Sequence, residues 1–419
     1  MGEDTVVRLG KPSAARDALT ELLRDGARRL LQQAVQAELE EFLAPRAGEC
    51  EEQGRAGVVR NGYLPERAVL TGIGPVAVRV PKVRSRTEEA VVFRSSLVPP
   101  YVRKAKSIEA ALPWLYLRGI STGQMQEALR VLVGEEAHGL SAPVVSRLKM
   151  KWQEDYRRWS ERRLDADRWV YWWVDGIYSG LRGESERLCA LVVMGVNERG
   201  QKRFLAIEDG VRESTQSWRE VLLKLKARGV ETAPELAVGD GALGFWAALE
   251  EIYPHTRAQR CWKHKAANVL NYLPKSVQGK AKEALHEIWM AATRESAELA
   301  FDRFLATYQG KYPKATECLQ KDRAALLAFY DFPAEHWVHV RTTNPIESAF
   351  ATIRHRSDRA KGCVTRATML ALVFKLALAA EQGFRKLRGF AYLAKIIAGV
   401  RFVDGVEKIE GRELSRAAA

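Results

Sequence analysis

Between residues 168 and 262 the sequence changes secondary-structure type in an order that few folds accommodate. Three apolar, β-rich runs come first, with tight links between them: WVYWWVDGIYSGLR, RLCALVVMGVNERG and KRFLAIEDG. VRESTQSWREVLLKLKARG then has helical periodicity, PELAVGD reads as a fourth strand, GALGFWAALEEIYP as a helix and TRAQRCW as a fifth strand. Short β-branched and aromatic runs bounded by turn residues are strand signals, and apolar residues three and four apart are helix signals. The predicted order is β-β-β-α-β-α-β, an α/β fold class.

Two carboxylates mark this frame and a third lies beyond it. Asp175 and Asp240 each end a predicted strand and are followed at once by Gly, and Glu347 opens a predicted helix in RTTNPIESAF. Each has a local explanation: a cap on the Gly176 turn, a helix N-cap, and a first-turn acid favoured by the helix dipole after Pro345. Together they are candidate ligands for two divalent ions, Mg²⁺ or Mn²⁺, which suit carboxylate oxygens and clamp both oxygens of a phosphodiester displacement. The strand order resembles the ribonuclease H-like fold, whose metal carboxylates come from the first strand and the tip of the fourth. The gaps of 65 and 107 residues differ because a helical insertion lies in the second.

The net charge of +14 asks for an acidic polymer as partner, and DNA is the obvious one. The charge is segregated: residues 55–106 hold 11 Lys and Arg against 3 acids, and residues 338–402 hold 12 against 3. Five scattered cysteines, Cys50, Cys189, Cys261, Cys318 and Cys363, fit a reducing cytosol and no disulfide framework. No signal peptide is visible, and MLALVFKLALAA, with Lys375 in it, reads as a core helix and not a membrane span. The expected location is the cytoplasm, in association with DNA.

Before the α/β segment, residues 13–45 read as one helix, a candidate dimerising element, and RAVLTGIG and PVAVRVPKVRSR as a small basic β-unit. KSIEAALPWLYLRGIS, stopped by Gly119, TGQMQEALRVLV, capped by Ser121, and SAPVVSRLKMKWQEDYRRW, with Pro143 in its first turn, read as three helices. They form a helix-turn-helix candidate for DNA contact or an ordinary helical hairpin. After the α/β segment, HKAANVLNYLPKSV, GKAKEALHEIWMAATRESAELAFDRFLATY and KATECLQKDRAALLAFYDF are amphipathic helices. Cys261 and His264 form Cys-x-x-His, and His336 and His339 form His-x-x-His, a conceivable zinc set. Trp289 and Trp337 are read as core residues, with base stacking as the alternative.

GDGALGFWAALEEIYPHTRAQRCWKHKAANVLNYLPK and RTTNPIESAFATIRHRSDRAKG resemble the Asp-Asp-Glu transposases of bacterial insertion sequences in the Mutator superfamily. RNGYLPERAVLTGIGPVAVRVPKVRSR and GISTGQMQEAL fit that layout too. The resemblance implies a DNA transposase, with Asp175, Asp240 and Glu347 as catalytic metal ligands. It would bind terminal inverted repeats, cut the element ends and join the 3′-OH to target DNA, as a homodimer or larger assembly. Candidate DNA contacts are Arg84, Arg86, Arg147, Lys149, His264, Lys265, Arg341, Asn344, Arg354, Arg356, Arg359 and Lys361. The expected organisation is an N-terminal helix at 1–54, the β-unit at 55–105 and the helix-turn-helix-like part at 106–160. A ribonuclease H-like core follows at 165–263 and 340–402, around a helical insertion at 264–339, with a tail at 403–419. The alternatives are a structure-selective nuclease and a catalytically inactive, domesticated DNA-binding regulator.

Overall fold

The computed structural model describes residues 18–48, 54–86 and 90–105, isolated positions between 107 and 120, and residues 122–133, 142–179, 188–210, 212–241, 243–359 and 365–408. A few helical side chains within these ranges, including those of Arg354, Arg356 and Arg359, are not described. Most of the expected helix at 106–119, the Ser121 cap, Cys50, Lys361 and Cys363 lie outside the described residues. The chain forms two compact units, Met1–Leu148 and Lys149–Ala419.

The first unit holds helix α1 (Ala18–Leu43) and strands β1 (Val58–Tyr63), β2 (Arg67–Thr71), β3 (Gly74–Val78) and β4 (Pro81–Ser85), with α1 against β3 and β4. β2 and β3 form an antiparallel hairpin, closed by Gly74 at φ 105°, and β1 pairs antiparallel with β4. Sequence reasoning missed β1, because Asn61 and Gly62 interrupt its apolar pattern. The second half of α1 covers the β-unit: Val35 and Leu39 pack with Val69, Val78, Val80, Phe93 and Val98. Glu38 ties it down further, accepting from the Ser96 N–H at 3.0 Å and the Leu97 N–H at 3.2 Å. The first half leaves Leu19, Leu22 and Leu30 exposed. Helix α2 (Thr122–Val133) follows as expected, and α3 (Ala142–Ser160) runs through the boundary between the units.

The second unit is built on strands β5 (Trp169–Ser179), β6 (Leu188–Asn197), β7 (Lys202–Gly210), β8 (Leu236–Gly239) and β9 (Arg257–Arg260), in the order β7-β6-β5-β8-β9. The first three pair antiparallel, and β8 and β9 join parallel to β5. Central β5 is covered on both faces, so from Trp169 to Val174 its side chains are aliphatic or aromatic whichever way they point. Trp172 and Val174 pack with Trp218, Leu222, Phe245 and Leu249 of helices α4 (Thr215–Ala227) and α5 (Leu243–Ile252). Tyr171 and Trp173 alternate to the other face, where they bond His336 and the His339 carbonyl, each at 2.9 Å. The buried Arg228 guanidinium donates to the Leu205 carbonyl at 2.6 Å and the Arg162 carbonyl at 2.8 Å, which ties the end of α4 to the sheet.

The helical module has more breaks than its periodicity predicts. It runs as α6 (Trp262–Leu270), α7 (Lys275–Met290), α8 (Arg294–Tyr308), α9 (Pro313–Gln320), α10 (Arg323–Leu326) and α11 (Trp337–Val340). Pro274 and Pro313 start new helices, and the Thr293 side chain caps α8 by accepting from the Ser296 N–H. The chain then returns through α12 (Asn344–Arg359), which packs on β5, and α13 (Arg366–Glu381), which packs on β7. Helix α13 is the apolar run read as a core helix, and Lys375 in it pairs with Asp155 at 2.7 Å. Helix α14 (Tyr392–Ile397) and a hairpin of β10 (Phe402–Val403) and β11 (Val406–Glu407) follow. Among the described residues no helix is long and apolar enough to cross a membrane.

Candidate active site

Asp175 continues the series of Tyr171 and Trp173, on the sheet face opposite α4 and α5. The expectation that it ends its strand is corrected: β5 runs on, paired with β6 as far as Ser179↔Leu188. What stops short of Asp175 is the parallel pairing with β8, last made at Trp173↔Val238. Asp240 directly follows the last residue of β8, as expected. Its carbonyl accepts from Arg260 Nη1 at 2.7 Å and Trp246 Nε1 at 2.9 Å, which fixes the backbone there. Glu347 sits in the first turn of α12.

A backbone latch sets the start of α12. The Trp262 N–H donates to the Arg341 carbonyl at 3.0 Å, and the Thr343 N–H donates to Cys261 Sγ at 3.3 Å. Thr343 Oγ1 lies 2.6 Å from Glu347 Oε1, and Lys263 Nζ lies 2.6 Å from Oε2. Both glutamate oxygens are thus held, one by Thr343 of the latch and the other by Lys263 next to it in the chain.

Charge links these groups into one cluster. Burial pushes the Asp175 carboxyl up to about 7; the His264 charge and the Gly176 N–H, 2.8 Å from Oδ1, oppose this, while Asp240 and Glu213 add to it. Burial, then Asp240, also raises Glu213. Burial works against the Glu347 carboxylate, but Lys263 and Thr343 outweigh it and hold the group below its usual range. The hydrogen bond to Cys261 raises His264 to about 9 against the effect of burial, with Glu347 and Asp175 contributing further.

Two donor sets are present. Asp175, Asp240 and Glu347 offer the carboxylate oxygens that hard divalent cations take. Cys261, His264 and Glu347 have ligand atoms within 4.8 Å of one another, a softer set. His336 and His339 do not join it: the His336 ring is held by Tyr171 and the Gly389 carbonyl, and His339 Nε2 accepts from the Arg388 N–H. The four-residue zinc set is therefore not assembled. Sequence reasoning missed Lys263, Thr343 and Glu213. Lys263 and Thr343 lie inside the quoted motifs, whereas Glu213 carries no local signal. It approaches because Gly176 and Gly244 lack side chains: a Cβ on the first would strike the Glu213 carboxylate, and on the second its backbone.

The sequence profile of the transposases of the Mutator family matches residues 4–385. The chain belongs to that family. It is 53% identical over 282 residues to the transposase for insertion sequence element IST2 of Acidithiobacillus ferrooxidans, covering 67% of this chain and 95% of that one. It is 47% identical over 294 residues to the transposase for insertion sequence element IS6120 of Mycolicibacterium smegmatis, covering 70% and 90%. Among solved structures, the Drosophila P element transposase strand transfer complex superposes with a TM-score of 0.24 at 11% identity, covering 70% of this chain and 91% of that one. That superposition is too loose to carry an argument.

This insertion-sequence transposase distributes its expected DNA contacts unevenly. Arg84, Arg86, Arg147 and Asn344 are exposed, and Lys149 is half-buried. Lys265 is buried: its ammonium donates to the Cys318 carbonyl at 2.9 Å and pairs with Asp322. Arg341 is turned inward, donating to the Trp337 carbonyl at 3.2 Å and to the Trp289 carbonyl. Arg354, Arg356 and Arg359 lie on α12. Trp289 packs on Trp262, and Trp337 packs on Phe329 and Tyr330, as core residues do.

Proposed function

We propose that this transposase is a ribonuclease H-like Asp-Asp-Glu enzyme that cuts DNA at the ends of its insertion sequence and joins the freed 3′-OH to target DNA. The observation that carries the reading is the shared charge cluster. Asp175 from β5, Asp240 from the end of β8 and Glu347 from α12 are linked through mutual repulsion or through their common neighbour His264. The strand order β7-β6-β5-β8-β9, antiparallel then parallel, supports the ribonuclease H-like part of the reading.

The donor set fits the metal that such an enzyme needs. All three ligands are carboxylates, and the one on β5 is disfavoured as an anion by burial and by Asp240, a penalty that a nearby cation offsets. Two ions of Mg²⁺ or Mn²⁺ held by Asp175, Asp240 and Glu347 would stabilise charge on the attacking and leaving oxygens of the phosphodiester. The protein supplies the rest. Thr343 and Lys263 orient Glu347. His264, cationic at neutral pH, presents positive charge beside the carboxylates, where phosphate oxygens would come.

The first unit, with Arg84 and Arg86 exposed, is assigned to the terminal inverted repeats, and α12 to the backbone near the cut. Two element ends must be handled together, so the active form is a homodimer or larger assembly, working on bacterial DNA in the cytoplasm.

A strand-transfer assay tests this. Full-length protein, Mg²⁺, a linear DNA carrying the element end and a plasmid target should yield joined product. Asp175→Asn, Asp240→Asn and Glu347→Gln should each abolish cleavage and joining with DNA binding nearly intact. A variant that keeps near-normal cleavage removes its residue from the site, and cleavage without any joining favours a structure-selective nuclease instead.

A further inference from the structure

Beside Asp240, on the side away from β5, a cavity of about 370 Å³ opens between α6, the end of α9 and the turn after β8. Asp240, Arg260, Asn268, Asn271, Tyr272 and Lys321 line it. A second cavity of about 390 Å³, lined by Trp246, shares Arg260, Lys321 and Asp322 with the first. The lining of the first cavity is mostly charged and polar, unlike the apolar interior typical of a cofactor pocket.

Two of the cations on this wall, Arg260 and Lys265, are fixed in place. Arg260 donates to the Asp240 carbonyl, pairs with Asp322 at 3.5 Å and lies 4.5 Å from the centre of the Trp246 ring. Lys265 pairs with the same Asp322 from behind. In the first cavity Arg260, Lys265 and exposed Lys321 face the carboxylates of Asp240 and Asp322, so its lining keeps one positive charge in excess. The rest of the lining is a different chemistry. Asn268 and Asn271 are exposed amides three residues apart, at the end of α6, and Tyr272 beside them is 52% exposed. Fixed cations suit a phosphate, carboxamides suit the hydrogen-bonding edge of a base or sugar, and an exposed phenol ring suits a base face.

We propose that this cavity is a nucleotide subsite. It takes one nucleotide of the DNA strand that runs past Asp240, with phosphate against Arg260 and Lys321 and with base and sugar against Asn268, Asn271 and Tyr272. The assignment rests on the reading of Asp240 as part of the reaction centre. A duplex keeps its base edges paired and is too wide for a cavity of this size. The nucleotide held there is therefore unpaired, at an end or flank of the cut strand.

Fluorescence anisotropy on the full-length protein tests it, with a short single-stranded oligodeoxynucleotide and a blunt duplex as probes. Asn271→Ala with Tyr272→Ala should weaken single-strand binding about tenfold and change duplex binding less than about twofold. Lys321→Ala should lower the single-strand slope of log K against log salt by about 0.7. All three side chains are exposed, so folding is expected to persist and a thermal melt checks it. Unchanged single-strand affinity in both variants, or equal loss on both probes, overturns the subsite while cleavage by the wild type keeps the wider reading. A wild type that neither binds DNA nor cuts it overturns both.

Discussion

In the sheet of the second unit, Val170, Tyr171, Trp172 and Trp173 have no exposed surface at all, whereas in the ladders of the first unit Arg60, Tyr63, Lys82 and Arg84 face solvent. Both regions are β-structure, but they treat charge in opposite ways. The sheet brings Asp175 into a buried place, where the charges of Asp240 and Glu213 are felt and a counter-charge has most effect. The ladders present cations in water, where holding them costs little and each contact to a polyanion adds a modest, salt-sensitive increment. The first environment suits chemistry at one point. The second suits recognition along an extended partner.

The sharpest way to break this contrast is to neutralise charge in each region. Asp175→Asn should lower the rate of DNA cleavage by about a thousandfold or more, equivalent to about 4 kcal/mol of activation free energy. Gel-based kinetics at saturating protein read it, and a loss under tenfold would mean that the buried cluster is not the reaction centre.

Packing tests the contrast next. Trp172→Ala in the sheet should cost about 3–5 kcal/mol. Leu39→Ala under the ladders should cost about 2–4 kcal/mol, and should loosen only the first unit. Hydrogen exchange by mass spectrometry separates the two effects. Loss of protection in β5 and β6 of the Leu39 variant would show that the units do not unfold separately.

A smaller effect comes from pH. Burial, then Lys202, His336 and Arg388, pushes His339 down to about 4. The unfolded chain takes up this proton near 6.5 and the folded protein only near 4, so stability is lost as pH falls through that window. Burial depresses His336 as well. His339→Gln keeps an acceptor for the Arg388 N–H and removes the titration. The melting temperature of the variant should gain on the wild type between pH 7.5 and pH 5. A constant difference would remove His339 from the acid response.

The smallest effect belongs to the ladders. Arg84→Ala with Arg86→Ala should lower the slope of log K against log salt on duplex DNA by about 1.8, with no change in folding. An unchanged slope would move recognition elsewhere in the chain.

How far the sequence could be read follows the same division. The strands β5, β6 and β8 were visible because burial on both faces demands apolar residues. β1 was not visible, because a half-exposed ladder tolerates Asn61 and Gly62. Asp175, expected at a strand end, lies mid-strand because β5 has two neighbours of different length. Asp240 and Glu347 could be picked out as candidates because each stands at a turn or helix start, and Asp175 because it breaks an apolar run just before Gly176. Glu213 could not, because its approach depends on space left by two distant glycines. Lys265, counted among the DNA contacts, shares the buried face of α6 with Trp262, Ala266 and Val269, so helical periodicity already placed it inside.

The latch that joins Trp262 to Arg341 and Cys261 to Thr343 makes the helical module a closed circuit, with its entrance and exit side by side. Whatever the chain does between those two points, it must come back to the place it left. The entropy of closing such a loop grows only with the logarithm of its length. Lengthening the module at an exposed turn should therefore cost folding little, and the position of Glu347 should not depend on how many residues the detour contains. The module is a compartment that can be enlarged or exchanged while the carboxylates stay where they are.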